Sequence, residues 1–244
     1  MSDENIYRRR TVQKETVYSH ALGKERPLRI FLPPGYNELV SHRVMYCQDG
    51  EEAFNFGRIA THASRLILDE GLEPFIIVGV DVDMPNRTAE YAPDGERFEA
   101  YCRFFVEELI PFVEERYPIR RGAGDRILVG DSLGGTVSLH LSLQAPHLFQ
   151  KVIALSGAFL EPSVESVRSG AVLSWLRLYQ VIGTEETEVS TTRGVFDFLT
   201  WNRTMHRALL SKSAAVAYVE KQGKHQWGFW QNELPEAIRW AFAE

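Results

Sequence analysis

A short glycine-rich run contains a serine in the setting that a catalytic nucleophile needs. Residues 130–135 read GDSLGG, after the apolar run 126–129 and before a helix-forming run at 136–144. A serine at a sharp strand-to-helix turn has a strained backbone, and glycine two residues to either side removes the clashes that side chains would make. The motif therefore predicts Ser132 as the nucleophile of an acyl-transfer reaction. The alternative is a Gly-rich turn with an N-cap serine.

A serine hydroxyl becomes a good nucleophile when a base removes its proton. Where this motif occurs in a strand–turn–helix context, the chain order is serine, acid, histidine. His225 lies after the last predicted strand and before the last predicted helix, within the segment GKHQW. The other histidines come too early in the chain, apart from His206, which lies inside a predicted helix. We therefore expect His225 to be the base.

The third residue of such a site is an acid that orients the imidazole. It should follow the strand predicted at 177–182, where the chain carries several carboxylates. Glu186 is favoured because it lies just past the end of that strand. Asp197 and Glu185 remain alternatives, as does a serine–histidine dyad without a strong acid.

Acyl transfer also needs backbone N–H groups that stabilise the oxyanion. The residue after the nucleophile supplies one, the amide of Leu133, and the loop QDGE after the strand at 43–47 supplies another, the amide of Glu51. A plain turn is the alternative for this loop. Tyr91 and Trp227 are the predicted substrate contacts, although aromatic residues at such places are as often part of the core.

Strands and helices alternate along the chain. Strands are predicted at 27–32, 43–47, 75–81, 126–129, 151–156, 177–182 and 215–220, and helices at 53–68, 97–117, 133–145, 198–212 and 232–243, with a kink at Pro111. This alternation predicts an α/β fold, a single domain over 1–244 with a mostly parallel sheet and helices on both faces. The segment 158–175 has room for one or two helical turns, which indicates a minimal cap and an open site.

Composition excludes several classes of protein. With 27 basic and 33 acidic residues the net charge is −6, so no nucleic-acid partner is expected. No apolar run approaches the roughly 20 residues of a membrane span, and the N-terminus MSDENIYRRR lacks the apolar segment of a secretory signal. Cys47 and Cys102 have neither metal-binding nor redox spacing, which indicates buried thiols, no metal and a reduced, cytoplasmic protein. Whether the protein forms a homo-oligomer stays open.

Together these residues resemble the esterase branch of the α/β-hydrolases, which includes enterobactin-type siderophore esterases, S-formylglutathione hydrolase, feruloyl esterase domains and mycolyltransferases. The resemblance covers nearly the whole chain. It is carried by Asp-Gly at 49–50, the Arg…Tyr…Pro loop at 87–93, EELIPF at 107–112, GDSLGG at 130–135, Ala-Pro at 145–146, LSG at 155–157 and HQW at 225–227. It implies Ser132 as nucleophile, His225 as base and 49–51 as the oxyanion loop. The acid maps less cleanly, because 187–197 is longer than in many relatives.

The reaction expected from this resemblance is the hydrolysis of a small-molecule carboxylic ester through an acyl-enzyme, with no cofactor. An acyltransferase or a thioesterase would use the same three side chains, so both remain alternatives. A non-catalytic binding protein on a hydrolase scaffold is a third reading, since fold alone does not establish function.

Overall fold

The computed structural model describes residues 10–243, which form one large sheet flanked by helices. Most of the segment on which the signal-peptide prediction rests, residues 1–9, lies outside these residues. The strands are β1 Thr11–Ser19, β2 Lys24–Leu32, β3 Arg43–Cys47, β4 Phe75–Val80, β5 Arg126–Asp131, β6 Lys151–Leu155, β7 Arg177–Gly183, β8 Val189–Thr191, β9 Gly194–Phe196 and β10 Ala215–Lys221. The helices are α1 Gly50–Asn55, α2 Ile59–Glu70, α3 Arg87–Tyr91, α4 Phe98–Arg103, α5 Ile110–Arg116, α6 Leu133–Gln144, α7 Glu161–Ser169, α8 Phe198–Ser211 and α9 Trp227–Phe242, with a 3₁₀ turn at Met84–Asn86 and a π-helical segment at Phe104–Leu109.

The large sheet has eight strands in the order β1-β2-β4-β3-β5-β6-β7-β10. The six strands from β4 to β10 are parallel, and β2 and β1 are added antiparallel at one edge. The central strands β4, β5 and β6 are buried along their whole length, as expected for parallel strands covered on both faces. The prediction of an α/β-hydrolase sheet with helices on both faces is therefore confirmed.

The two larger apolar cores lie on opposite faces of this sheet, and a smaller cluster forms around Phe198. One packs α2 and α9 against the sheet, and the other packs α4, the π-helical segment, α6 and α8. Parallel strands require their carboxyl ends to meet at one edge, so β3, β5, β6 and β7 all deliver their following loops to the same place. That edge positions the candidate site.

Several element boundaries differ from the predictions. β1 was missed because its burial pattern is mostly exposed and polar, so its hydrophobic alternation is weak. The last helix begins at Trp227 rather than at 232 and continues through Pro235. The helix predicted at 97–117 is continuous but contains the π-helical segment just before Pro111, a residue that cannot donate the usual i→i−4 hydrogen bond.

Two segments predicted as loops contain regular structure. The loop at 87–93 holds the short helix α3, and the stretch 187–197 forms the hairpin of β8 and β9. Short strands with polar, exposed residues give little periodic signal, which is why this hairpin was not predicted. The segment 158–175 contains α7, so the cap is indeed small there.

Candidate active site

Ser132 lies at the turn between β5 and α6, in the conformation that the glycine pattern predicts. Its backbone has φ 51° and ψ −123°, a left-handed region that an L-residue rarely adopts. A Cβ on Gly130 would lie 2.3 Å from the carbonyl carbon of Gly134, so no side chain fits there. The Ser132 amide donates to Leu155 O at 2.9 Å, and its carbonyl accepts from the amide of Ala158 at 2.9 Å. Hydrogen bonds to the neighbouring strand and its following loop thus hold the strained turn.

Three side chains far apart in the sequence form one hydrogen-bonded chain at this edge of the sheet. His225 Nε2 lies 3.0 Å from Ser132 Oγ, and His225 Nδ1 lies 2.6 Å from Glu186 Oε2. A carboxylate accepts hydrogen bonds, so Nδ1 carries the proton toward Glu186. Nε2 is then free to accept the hydroxyl proton of Ser132.

Glu186 is fully buried and held from two sides. Its Oε1 accepts from the hydroxyl of Ser156 at 2.6 Å and from the amide of Gly183 at 2.9 Å. Trp230 Nε1 in turn donates to Ser156 Oγ at 2.9 Å. These bonds leave Oε2 for the imidazole of His225, so the position of the carboxylate is set independently of the histidine.

The two alternative acids lie elsewhere. Asp197 caps α8, where its carboxylate accepts from the amide of Thr200 at 2.8 Å. Glu185 is partly exposed and lies 3.9 Å from the ammonium of Lys224. Of the carboxylates considered from the sequence, Glu186 is therefore the one that the structure places against the imidazole.

The imidazole of His225 is packed between aromatic rings as well as hydrogen-bonded. The ring of Phe198 lies 4.4 Å away between centroids, and the ring of Trp230 lies 4.9 Å away in an edge arrangement. Both contacts restrict rotation of the imidazole. The sequence pattern near His225 did not indicate Phe198, which reaches the site from the start of α8.

A cavity of about 280 Å³ opens above Ser132 and His225. Aromatic side chains form one wall, namely Phe196, Phe198 and Trp201. The hairpin of β8 and β9 covers the cavity with residues 190–193, and its Arg193 forms a two-pronged ion pair with Asp94 at 3.0 and 2.6 Å. The aromatic wall and the hairpin were not predicted, although the unusual length of 187–197 was the available signal.

The predicted substrate contacts lie outside this cavity. Tyr91 is fully buried, with its hydroxyl 3.4 Å from the amide of Asp49, and it does not line the cavity. Trp227 is half-buried and donates from Nε1 to Glu52 at 3.0 Å. Tyr91 thus contacts the turn before α1, and Trp227 contacts α1 itself. An aromatic residue in a loop could not be separated from a core residue by sequence pattern alone.

The predicted oxyanion donors lie at the first turns of two helices. Leu133 is the first residue of α6 and lines the cavity, and Glu51 is the second residue of α1. The Glu51 side chain is 61% exposed and pairs with Arg29 at 2.8 Å, so only the backbone amide of this residue is a candidate oxyanion donor. Amides in the first turn of a helix have no intrahelical acceptor and favour negative charge.

A buried cluster of charges joins these two helix starts. Arg87 donates from Nε and Nη2 to the two carboxylate oxygens of Asp49, both at 2.8 Å, and its Nη2 lies 3.9 Å from Asp131 Oδ2. Burial and the nearby charge of Asp49 raise the pKa of Asp131 to about 8. Burial lowers the pKa of the Arg87 guanidinium, but the carboxylates of Asp49 and Asp131 together raise this pKa by more, so the group stays charged. In the sequence, Arg87 stands out only as part of a loop motif.

Neither a metal-binding cluster nor a membrane-spanning helix occurs among residues 10–243. No group of three or more His, Cys, Asp or Glu side chains in this part of the chain is arranged to hold a metal ion. None of the helices described here is both long enough and apolar enough to cross a bilayer. Cys47 and Cys102 are both buried free thiols, as their spacing predicts.

Most of the chain is similar to known esterases in sequence or in fold. A family model described as "Putative esterase" matches residues 19–241. The protein YjcH of Bacillus subtilis is 35% identical over 231 residues, which is 94% of this chain and 96% of YjcH. A solved ferulic acid esterase superposes with a TM-score of 0.81 at 18% identity, covering 96% of this chain and 98% of its own. The enterobactin esterase of Shigella flexneri superposes with a TM-score of 0.81 at 19% identity, covering 95% of this chain and 59% of its own.

Proposed function

This chain belongs to that esterase family and is a hydrolase of ester bonds, and we propose that it cleaves carboxylic esters through a Ser132–His225–Glu186 triad. The observation that carries the proposal is the unbroken hydrogen-bond chain from Ser132 Oγ through the imidazole to the buried carboxylate. It ends in a cavity that both Ser132 and His225 line. The cytoplasmic location belongs to the same proposal, supported by two buried free thiols.

In the first half of the reaction, His225 Nε2 removes the proton of Ser132 as its oxygen attacks the ester carbonyl. The negative charge that develops on the carbonyl oxygen is stabilised by the amides of Leu133 and Glu51. Glu186 keeps the imidazole in the tautomer that accepts at Nε2 and stabilises its protonated form. The imidazolium then protonates the leaving alcohol, which departs and leaves an acyl group on Ser132.

In the second half, water takes the place of the alcohol. His225 removes a proton from this water as it attacks the acyl carbonyl, and the protonated imidazole returns a proton to Ser132 Oγ. The carboxylic acid is released and the free enzyme is restored. All proton transfers run through one imidazole.

The shape of the cavity favours compact acyl groups. About 280 Å³ is at the small end of ligand pockets, and Phe196, Phe198 and Trp201 give it an apolar, aromatic wall. An acetyl group or a single aromatic ring fits such a space better than a long alkyl chain. We therefore propose short-chain and aromatic esters as the preferred substrates.

A fluorophosphonate that labels active serines tests the nucleophile directly. Intact-mass analysis should show a single adduct on the wild type and none on Ser132→Ala, with Ser138→Ala as a matched control that keeps the adduct. A panel of p-nitrophenyl acetate, butyrate and octanoate with methyl ferulate tests the acyl preference. An unlabelled wild type without turnover of any ester would refute the proposal and favour the binding-protein reading.

The same panel separates hydrolysis from transfer. Turnover in the presence of a competing alcohol should yield free acid as the main product. A transfer ester that exceeds the free acid would overturn the hydrolase assignment in favour of an acyltransferase.

A further inference from the structure

Two chain segments must keep a fixed distance and orientation for the two oxyanion amides to bind the same oxygen atom. One is the turn before α1, which carries the amide of Glu51, and the other is the turn before α6, which carries the amide of Leu133. Each turn contains a residue with positive φ, Asp49 at 51° and Ser132 at 51°. Strained turns persist when surrounding contacts hold them, so something must fix each turn and the distance between them.

Arg87 contacts both turns at once. Its guanidinium makes a parallel, two-pronged hydrogen bond to the Asp49 carboxylate, and its Nη2 lies 3.5 Å from the carbonyl oxygen of Asp131. The side chains of Asp49 and Asp131 are 1% and 5% exposed. A Cβ on Gly134 would lie 3.0 Å from Asp49 Oδ2, so the carboxylate of Asp49 sits directly against the first turn of α6.

Contacts of helix α3 fix the position of Arg87. It begins α3, and its guanidinium lies 5.3 Å from the ring of Tyr91, the last residue of that helix. Glu90 of α3 is fully buried and pairs with Arg26 of β2 at 2.7 Å. These contacts hold α3 against the antiparallel edge of the sheet, so the backbone of Arg87 is held in place.

We propose that Arg87 is a positioning residue that aligns the two oxyanion amides by bridging Asp49 and Asp131. This inference rests on the proposed function, since it gives Arg87 a role in the esterase reaction. Arg87 also lines the cavity, but Asp49 accepts hydrogen bonds from its Nε and Nη2, so the kinetic test has to separate positioning from substrate binding. Loss of Arg87 should lower kcat more than it changes KM.

We expect Arg87 to align the two amides best when Asp49 is ionised and Asp131 is neutral. Asp131 Oδ1 has no hydrogen-bond partner among the described residues, which suits a carboxyl group in its neutral form. The groups that face Asp131 are Asp49, Arg87, Glu52 and the thiol of Cys47. With the pKa of Asp131 raised to about 8, ionisation above that pH adds a second negative charge beside the oxyanion amides. Burial and the carboxylates of Asp49 and Asp131 raise the pKa of Cys47 well above its ordinary value, so this thiol stays neutral there.

The first experiment compares Arg87→Ala with wild type on p-nitrophenyl acetate. Removing one oxyanion donor lowers kcat by roughly 10²- to 10³-fold in enzymes of this kind, and we expect a loss of that order for Arg87→Ala with KM changed by less than about threefold. Millimolar guanidinium chloride should restore part of kcat, because the ion can reoccupy the space beside Asp49. Arg239→Ala, which removes an exposed two-pronged pair with Glu70, is the matched control and should respond to neither change.

The second experiment measures the pH dependence of kcat in wild type and in Asp131→Asn. For wild type we expect kcat at pH 9 to be about one tenth of its value at pH 7, as for a single ionisation with a pKa near 8. For Asp131→Asn the ratio of the two values should approach one, because an amide cannot ionise.

A third measurement does not depend on activity. A carboxyl with a folded-state pKa above its unfolded value contributes stability that is present at low pH and is lost as pH rises through about 8. Wild type should therefore lose urea resistance between pH 5 and pH 9 relative to Asp131→Asn. This comparison remains informative if Arg87→Ala folds poorly.

The outcomes separate this inference from the esterase assignment. An active wild type whose Arg87→Ala variant loses activity through KM alone would overturn the positioning role and leave the esterase intact. The same holds for an alkaline decline that Asp131→Asn retains. A wild type without turnover or serine labelling would instead remove the proposed function on which the inference rests.

Discussion

The floor of the cavity and its hairpin wall are built in different ways. On the floor, the side chains of Ser132, His225 and Glu186 come from three separate loops and form short hydrogen bonds in largely buried surroundings. The wall contributed by β8 and β9 is mostly exposed, and its ion pair to the opposite rim joins Arg193 and Asp94, whose side chains are 37% and 45% exposed.

We infer from this difference that the floor carries out the reaction and the hairpin wall influences which acyl groups bind. Buried, charge-assisted hydrogen bonds are strong and leave few alternative geometries, so the floor holds one arrangement of reacting groups. An exposed ion pair contributes only about 0–1 kcal/mol, so the hairpin can shift at little energetic cost. We expect changes on the floor to abolish turnover, and changes on the wall to alter which acyl groups are accepted.

The largest effect should follow removal of either proton-transfer partner on the floor. Ser132→Ala and His225→Ala should each lower kcat by roughly 10⁴- to 10⁶-fold, and the double variant should lose little more, because the residues act as a unit. Hydrolysis of p-nitrophenyl acetate measures this. His206→Ala is the matched control. His206 lies in α8, stacks on Tyr218 of β10 and does not line the cavity, so this variant should keep activity within about twofold. Near-normal turnover by either single variant would refute the triad.

The next effect concerns the acid. Glu186→Gln should lower kcat by roughly 10³- to 10⁴-fold, because an amide facing Nδ1 favours the wrong imidazole tautomer. Asp197→Asn is the matched control, since it makes the same carboxylate-to-amide change at an N-cap where asparagine is equally suitable. Kinetics of the two variants side by side decide between the acids. A larger loss in Asp197→Asn would transfer the role to Asp197.

The smallest effect should come from the wall. Arg193→Ala removes the ion pair to Asp94 and should change KM for methyl ferulate by about two- to fivefold, with kcat for p-nitrophenyl acetate nearly unchanged. Arg168→Ala removes an exposed pair with Glu161 on α7 and serves as the matched control without an effect. Equal responses of both variants would show that the hairpin does not select substrates.

Local patterns predicted much of the site. Glycine at 130 and 134 is required where the backbone turns sharply, so the motif places Ser132 without knowledge of distant contacts. His225 follows from chain order, since parallel strands bring their following loops to one edge. Glu186 was preferred over Asp197 by its distance from a strand end, and the structure places it against the imidazole.

Other features depended on packing that no local pattern contains. Tyr91 was predicted to contact the substrate, but its ring lies under the turn at Asp49, where a phenol and a core residue give the same sequence signal. The exposed residues of β8 and β9 have no apolar alternation, so this hairpin left no periodic trace. Arg87 became informative only when its guanidinium was found between two buried carboxylates.

The sequence by itself determined the order of elements and the residue types at the sheet edge, because hydrophobic periodicity and glycine placement are local properties of the chain. The tertiary structure decided which carboxylate meets His225, which aromatic rings line the cavity and which charges share the buried cluster at Arg87. These outcomes depend on distances between loops separated by 39 and 93 positions, and such distances arise only when the strands pair and the helices pack.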